Sequence, residues 1–239
     1  MTPPPKPPCP PPAELIAEAL SLAIDLRDPS TGAHCRMVGE ASEKIAAAIG
    51  LSERDARIVG LGGRLHDLGK IAIPDRILHN SDEFDDRQTS VMRAHAANGE
   101  RKIAGLAPLD EAVGRIATIV GAHHERWDGG GYPRGLRGAE IPLGARIVAV
   151  ADVFSAMVMT RTYQAAMPIA HAIEVIVSGA GSCFDPDVVA AALGVLPPPE
   201  PGSTISAMVP FASSVLPGRR RTPRRRADGE RPEPAAVPA

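Results

Sequence analysis

The chain has 239 residues and a formal net charge of −2, with 44% apolar but only 3% aromatic content. That length fits one substantial domain with tails, and a core so poor in rings favours packed helices over a β-sandwich. Cys9, Cys35 and Cys183 show no paired spacing and no CxxC, which excludes a disulfide framework and a zinc knuckle and points to a reducing compartment.

The opening stretch, MTPPPKPPCPPP, has no apolar h-region and is not read as a secretory signal. Its proline run, residues 1–12, is expected to be a disordered polyproline segment. Ala13–Arg27 sets Leu15, Ala19, Leu22 and Leu26 at helical spacing, and Asp28-Pro29 is expected to end that helix. A second helix is predicted from Thr31 to about Ile49. Ser52, with Asp55 three residues on, reads as a cap for a third helix that runs through Leu65 to His66 and Asp67. Gly69 reads as its stop. Further helices are predicted over Asp85–His95 and Asp110–His124, followed by the glycine-rich loop Trp127–Gly138. Leu143–Thr160 is the most apolar helix, and Ile169–Ser178 and Pro186–Leu193 complete the set. No segment alternates convincingly, there is no internal repeat, and no uncharged run is long enough to span a bilayer. The expectation is an all-α single domain over residues 13–196, soluble and cytoplasmic.

Residues 197–239 carry seven arginines against four acids, a net of +3 that leaves −5 on the rest of the chain. Without apolar periodicity this tail reads as disordered. With no aromatics among its arginines it is taken as a solvated segment, not a nucleic-acid binder.

Five of the seven histidines sit in segments dense in Gly, Asp or Lys. His66-Asp67 could straddle two metal ions, or be a solvated pair closing a helix. His123-His124 ends the apolar stretch Ile116–Ala122, and imidazole suits Fe, Mn and Zn. Asp152 sits inside IVAVADVF, where a buried carboxylate must pair, shift its pKa or bind a metal. Arg146 and Arg161 are the alternative partners. His34 and His95, each alone, read as capping or surface residues; His79 and His171 have no chemical company and are read as non-functional. Helix bundles nevertheless bring such positions together inward.

HDLGK, HHERWDGGGYP and ARIVAVADVF occur in that order, flanked by RDPSTGAHCRMV, IPDRIL, LRGAEIPL and GAGSCFDPDVV. Together they resemble the HD-GYP subgroup of the HD-domain metal-dependent phosphohydrolases over about Glu14–Leu193. The resemblance implies a helical fold and a dinuclear centre, usually of iron or manganese, that hydrolyses cyclic di-GMP or a related cyclic dinucleotide with a metal-activated hydroxide. Carried over by motif, His34, His66, Asp67 and Asp152 hold one metal and His95, His123 and His124 the other, with Asp67 bridging. Lys70 and Arg161 approach the substrate phosphate, and Gly131-Tyr132-Pro133 form a loop for substrate and for docking of a GGDEF-type cyclase. Ser30 stands where trinuclear members have Glu, so two metals are expected. Ser155 replaces a common Asp, and TRTYQ departs from the usual DRPYR-like stretch, which bears on substrate affinity. Two other readings stay open: a catalytically weak sensor or docking module, and a general HD phosphohydrolase acting on dNTPs or guanosine tetraphosphate.

Overall fold

A computed structural model of the chain describes residues 10–80, 82–159 and 167–198. Nine α-helices lie among them: α1 (Pro12–Arg27), α2 (Pro29–Ala48), α3 (Glu53–Leu65), α4 (Asp75–Leu78), α5 (Asp86–Ala104), α6 (Glu111–Ala122), α7 (Leu143–Val158), α8 (Ile169–Ser178) and α9 (Pro186–Leu193). The described residues hold no strand, and their one β-type pairing is an isolated bridge between Ala180 and Phe184. The fold is a single all-α domain. None of the described helices is long and apolar enough to cross a membrane.

Asp28 does two jobs at the first junction. It closes α1, and its carboxylate accepts from the Ser30 amide at 3.0 Å and the Thr31 hydroxyl at 2.6 Å. The second helix therefore starts at Pro29, two residues before Thr31. Proline's fixed φ and missing amide suit a first helical turn, so the residue that stops one helix opens the next. The stripe read from α1 is also the wrong face. Leu15, Leu22 and Leu26 are exposed, while Ala13, Ala17 and Ile24 are buried, because small side chains let α1 settle closely on its neighbours.

α3 is capped as expected, with Ser52 Oγ accepting from the Asp55 amide at 3.1 Å. It ends at Leu65, one residue short of His66, and the chain tightens through Asp67 into a 3₁₀ turn over Leu68–Ala72. α5 continues nine residues beyond His95, to Ala104. Within that extension Gly99 faces Gly69 of the 3₁₀ turn, where a Cβ would meet backbone atoms of His95 and Gly99 at 2.0–2.8 Å. Gly69 is thus a close-approach glycine as well as a helix stop. α6 ends at Ala122 with His123 as its cap, and α7 ends at Val158. The predicted final residue of α7, Thr160, lies outside the described residues, as do the two terminal segments apart from residues 10–12 and 197–198.

The core is aliphatic. Val38, Ile45, Leu65, Ile103, Ile116, Ile147, Met157 and Ile176 are each at most 1% exposed. α2 and α3 form its centre, α7 crosses both, and α5 pairs with α6.

Candidate metal centre

Five helices and one turn deliver the predicted donors to one buried point. His34 comes from α2, His66 from the end of α3, Asp67 from the turn after it, His95 from α5, His123 and His124 from the end of α6, and Asp152 from α7. His34, His66, Asp67, His95 and His123 are each 4% exposed or less. The imidazoles form a continuous chain, with ring centroids 5.2 Å apart for His34–His66, 5.1 Å for His66–His123 and 5.3 Å for His95–His123.

Two three-donor groups emerge among the described residues: His34, His66 and Asp152, and His95, His123 and His124, each with its donor atoms within 4.8 Å of one another. Asp67 lies between them. Its Oδ2 is 3.3 Å from His66 Nε2 and 2.6 Å from Lys70 Nζ, and its Oδ1 is 3.5 Å from His95 Nε2. A third group, Cys35 with His66 and Asp67, contains a residue that the sequence did not nominate. Cys35 lies one step along α2 from His34, and only packing reveals it.

The protons decide what these atoms can do. His66 Nδ1 donates to Gly63 O, His95 Nδ1 to Met92 O and His123 Nδ1 to Val120 O, each at 2.7 Å and each to the carbonyl three residues back. With its proton held at Nδ1, a neutral imidazole presents a bare lone pair at Nε2. Burial lowers His95 to about 4 and His123 to about 3, so both are neutral at pH 7. Yet the bare Nε2 atoms of His95 and His123 face each other at 3.4 Å, while His124 Nε2 can donate to His95 Nε2 at 3.2 Å. Acceptors that converge without a proton between them repel unless a cation lies among them. Asp67 Oδ1 adds a carboxylate oxygen, buried and without a hydrogen-bond partner among the described residues, an arrangement costly to leave uncompensated. On these observations the residues fit divalent metal ions of mixed N/O preference.

Charge balance agrees. Burial works to raise the Asp67 pKa, but His66 and Lys70 outweigh it and hold the carboxyl well below its usual range. Asp152 is likewise held down against burial by a 2.9 Å contact with His34 Nε2 and by His66. Burial opposes charging of His66, but Asp67 and Cys35 overcome it and raise its pKa. The alternative partner for Asp152 falls away in one case: Arg146 reaches Asp185 at 2.6 Å instead. Arg161, predicted to approach the phosphate, lies outside the described residues.

The glycine-rich loop is bound down beside this cluster. Glu125, 4% exposed, accepts from the amides of Arg134 at 2.7 Å and Leu136 at 3.1 Å. A Cβ on Gly131 would meet backbone atoms of His124, Glu125 and Arg126 at 2.4–2.6 Å, so only glycine fits there. Tyr132 donates its amide to His124 O at 3.2 Å and stacks its ring on the His124 imidazole, with centroids 4.8 Å apart at 23°. The Arg93 guanidinium carbon lies over the Tyr132 ring, 5.1 Å from its centroid. Pro133 is exposed. Glu125 and Arg93 were not picked out from sequence, since neither carries a motif of its own. Beside the cluster opens a cavity of about 210 Å³, whose walls include Ser30, His34, Asp67, Lys70, His79 and Met92. His79, read as non-functional, thus borders the same space as Lys70; His171 is remote, 3.7 Å from Glu174.

The bundle and its buried histidine–aspartate cluster define an all-α protein of the metal-dependent HD class. The family model for the HD domain matches residues 18–188, and the chain belongs to the HD-domain family, in its HD-GYP group. It is 41% identical over 174 residues to the cyclic di-GMP phosphodiesterase response regulator RpfG of Xanthomonas campestris, covering 73% of this chain and 46% of that protein. It is 40% identical to a cyclic di-GMP phosphodiesterase of Thermotoga maritima, over 74% of this chain and 48% of the other. It is 35% identical to 3'3'-cGAMP-specific phosphodiesterase 3 of Vibrio cholerae, over 77% and 40%. The chain thus spans less than half the length of these curated relatives. Among solved structures, an HDG"Y"P protein from Bdellovibrio bacteriovorus has the same fold, with a TM-score of 0.57 over 77% of this chain and 60% of that one at 21% identity.

Proposed function

We propose that this chain is a metal-dependent phosphodiesterase that hydrolyses cyclic di-GMP or a closely related cyclic dinucleotide such as 3'3'-cGAMP. The observation that carries the reading is the placement of Asp67, whose two carboxylate oxygens face separate donor groups while Lys70 lies beside one of them. The names of the curated relatives supply the substrate class.

In this reading His34, His66, Asp67 and Asp152 would hold one divalent ion and His95, His123 and His124 the other, with Asp67 the carboxylate available to both. Iron or manganese is the metal that the HD-GYP resemblance implies; mixed imidazole and carboxylate donors accept both, and zinc as well. Two such ions supply an activated water and charge neutralisation for in-line displacement at phosphorus. The residues of the chain do the rest. Lys70, a cation on the wall of the 210 Å³ cavity, stabilises charge on a non-bridging phosphate oxygen. Carboxylates and Nδ1-protonated imidazoles fix the donors before substrate arrives, so little reorganisation is needed at reaction. Arg161 adds a second phosphate contact. Gly131, Tyr132 and Pro133 form the face for substrate and for docking of a GGDEF-type cyclase. The folded unit is residues 13–196 and its setting the cytoplasm.

The test is a substrate panel on anaerobically purified protein loaded with Fe(II) or Mn(II): cyclic di-GMP, 3'3'-cGAMP, a dNTP and guanosine tetraphosphate. Turnover of a cyclic dinucleotide alone is expected. Cleavage of the dNTP or the tetraphosphate in its place overturns the substrate class. Metal uptake with no turnover of any of them overturns the enzyme in favour of a docking module.

A further inference from the structure

His34 is oriented differently from the other histidines of the cluster. His66, His95 and His123 each donate Nδ1–H to a backbone carbonyl one turn back. His34 Nδ1 instead meets the hydroxyl of Ser155, a residue 121 positions away on α7, at 3.0 Å. Ser155 is fully buried and His34 4% exposed. A hydroxyl can donate or accept, so by itself it leaves the imidazole tautomer open. Asp152 settles it for the chain as it stands: His34 Nε2 lies 2.9 Å from Asp152 Oδ1, a carboxylate that can only accept, so Nε2–H donates to it and Nδ1 accepts from the Ser155 hydroxyl. Once a metal ion takes Nε2 the ring proton must sit on Nδ1, and Ser155 can accept it because Met159 Sδ, 3.4 Å from Oγ, offers the hydroxyl proton another acceptor.

One helix supplies both sides of this arrangement. Asp152 and Ser155 are three residues apart on α7, hence on the same face, and they hold the imidazole of His34 between them. We propose that Ser155 is a positioning residue that fixes the ring angle of His34 and accepts its Nδ1 proton when Nε2 holds a metal ion. The proposal rests on the reading of His34 as a metal ligand. Outer partners of ligating histidines are worth about 10–100-fold in metal affinity or activity, and this hydroxyl is the one partner of His34 that does not itself belong to the donor set.

The experiment compares the full chain with Ser155→Ala and Ser155→Asp, by Mn(II) titration and by the ¹⁵N NMR signature of the histidine tautomers in metal-free protein. In the metal-free wild type His34 is expected as the Nε2-protonated form, with Nδ1 accepting from Ser155. Ser155→Ala should move the Nδ1 resonance of His34 to that of a ring nitrogen without a hydrogen bond and weaken one Mn(II) site by about 10–100-fold, leaving the site of His95, His123 and His124 near its original affinity. Ser155→Asp, whose carboxylate accepts from Nδ1–H once Nε2 holds the metal, should recover the affinity. Unchanged Mn(II) affinity in Ser155→Ala overturns the proposal, as does equal weakening of both sites, which marks a packing defect. A wild type that takes up no Mn(II) overturns the reading of the site itself, and the wild type alone tells that failure from failure of Ser155.

Discussion

A methyl group at residue 69 would lie 2.0 Å from the carbonyl oxygen of His95 and 2.8 Å from the amide nitrogen of Gly99. Both are backbone atoms of α5, so no side chain can swing away to relieve the clash. Because Cβ contacts below 3.0 Å are essentially never seen, the 3₁₀ turn and α5 must part by at least about 1 Å. Overpacking of this kind costs about 1–3 kcal/mol, and for a domain of this size each kcal/mol shifts Tm by about 2–4 °C. Gly69→Ala should therefore lower Tm by about 2–12 °C. The displacement also separates Asp67 and Lys70 from His95, and misplacement by about 1 Å can cost on the order of 100-fold in rate. Differential scanning fluorimetry and hydrolysis of cyclic di-GMP read the two effects. Gly114→Ala is the control: its new Cβ has only Ala107 Cβ nearby, at 3.6 Å, and alanine in a helix interior gains about 0.5–1 kcal/mol over glycine. If Gly69→Ala matches the wild type in both Tm and turnover, the close approach of the turn to α5 is not what places the cluster.

Glu125→Gln exchanges one acceptor oxygen for an NH₂ that faces a backbone amide, at Arg134 or Leu136. A loss of about 2–3 kcal/mol is expected, and an unchanged urea midpoint would show that the loop is held elsewhere. Tyr132→Phe keeps the ring on His124 and should bind Mn(II) like the wild type, whereas Tyr132→Ala loses a stack worth about 0.5–1.5 kcal/mol and binds more weakly. Equal affinities for the two would remove the tyrosine ring from any part in orienting His124. The metal-free protein should lose stability as pH falls from about 6.5 toward 4, since burial holds His95 at about 4 and His123 at about 3 while both titrate near 6.5 unfolded. Each contributes about 2 kcal/mol of that loss by pH 5. His66, raised above 6.5, changes only above that window. Urea denaturation at pH 7.5 and pH 5 checks the sign, and equal or greater stability at pH 5 contradicts it.

Helix content was legible because the chain's punctuation is local: Ser52 and Asp110 cap helices, and Gly50, Gly179 and Gly194 lie just past the ends of others. The errors came where a residue serves a neighbour in space. Asp28-Pro29 reads as a break but joins two helices, and α5 runs on past His95 to Ala104, its Gly99 lying against Gly69 of the 3₁₀ turn. On α1 the larger side chains suggested a buried stripe, whereas close packing favours the alanine face. The candidate donors were readable from their motifs. Their proton positions were not: the carbonyls of Gly63, Met92 and Val120 have no sequence signal, and Ser155 registered only as a departure from a pattern. Cys35 and Glu125 became visible only once α2 and the glycine-rich loop were placed.

Hydrolysis of cyclic di-GMP against added Mn(II), with Asp67→Asn alongside, tests the central claim most directly. Turnover in the wild type should rise with metal to a plateau near two equivalents, and Asp67→Asn, which weakens the shared ligand, should stay inactive while keeping its helical spectrum. Turnover that is independent of metal, or that survives in Asp67→Asn, would contradict a centre bridged by that carboxylate.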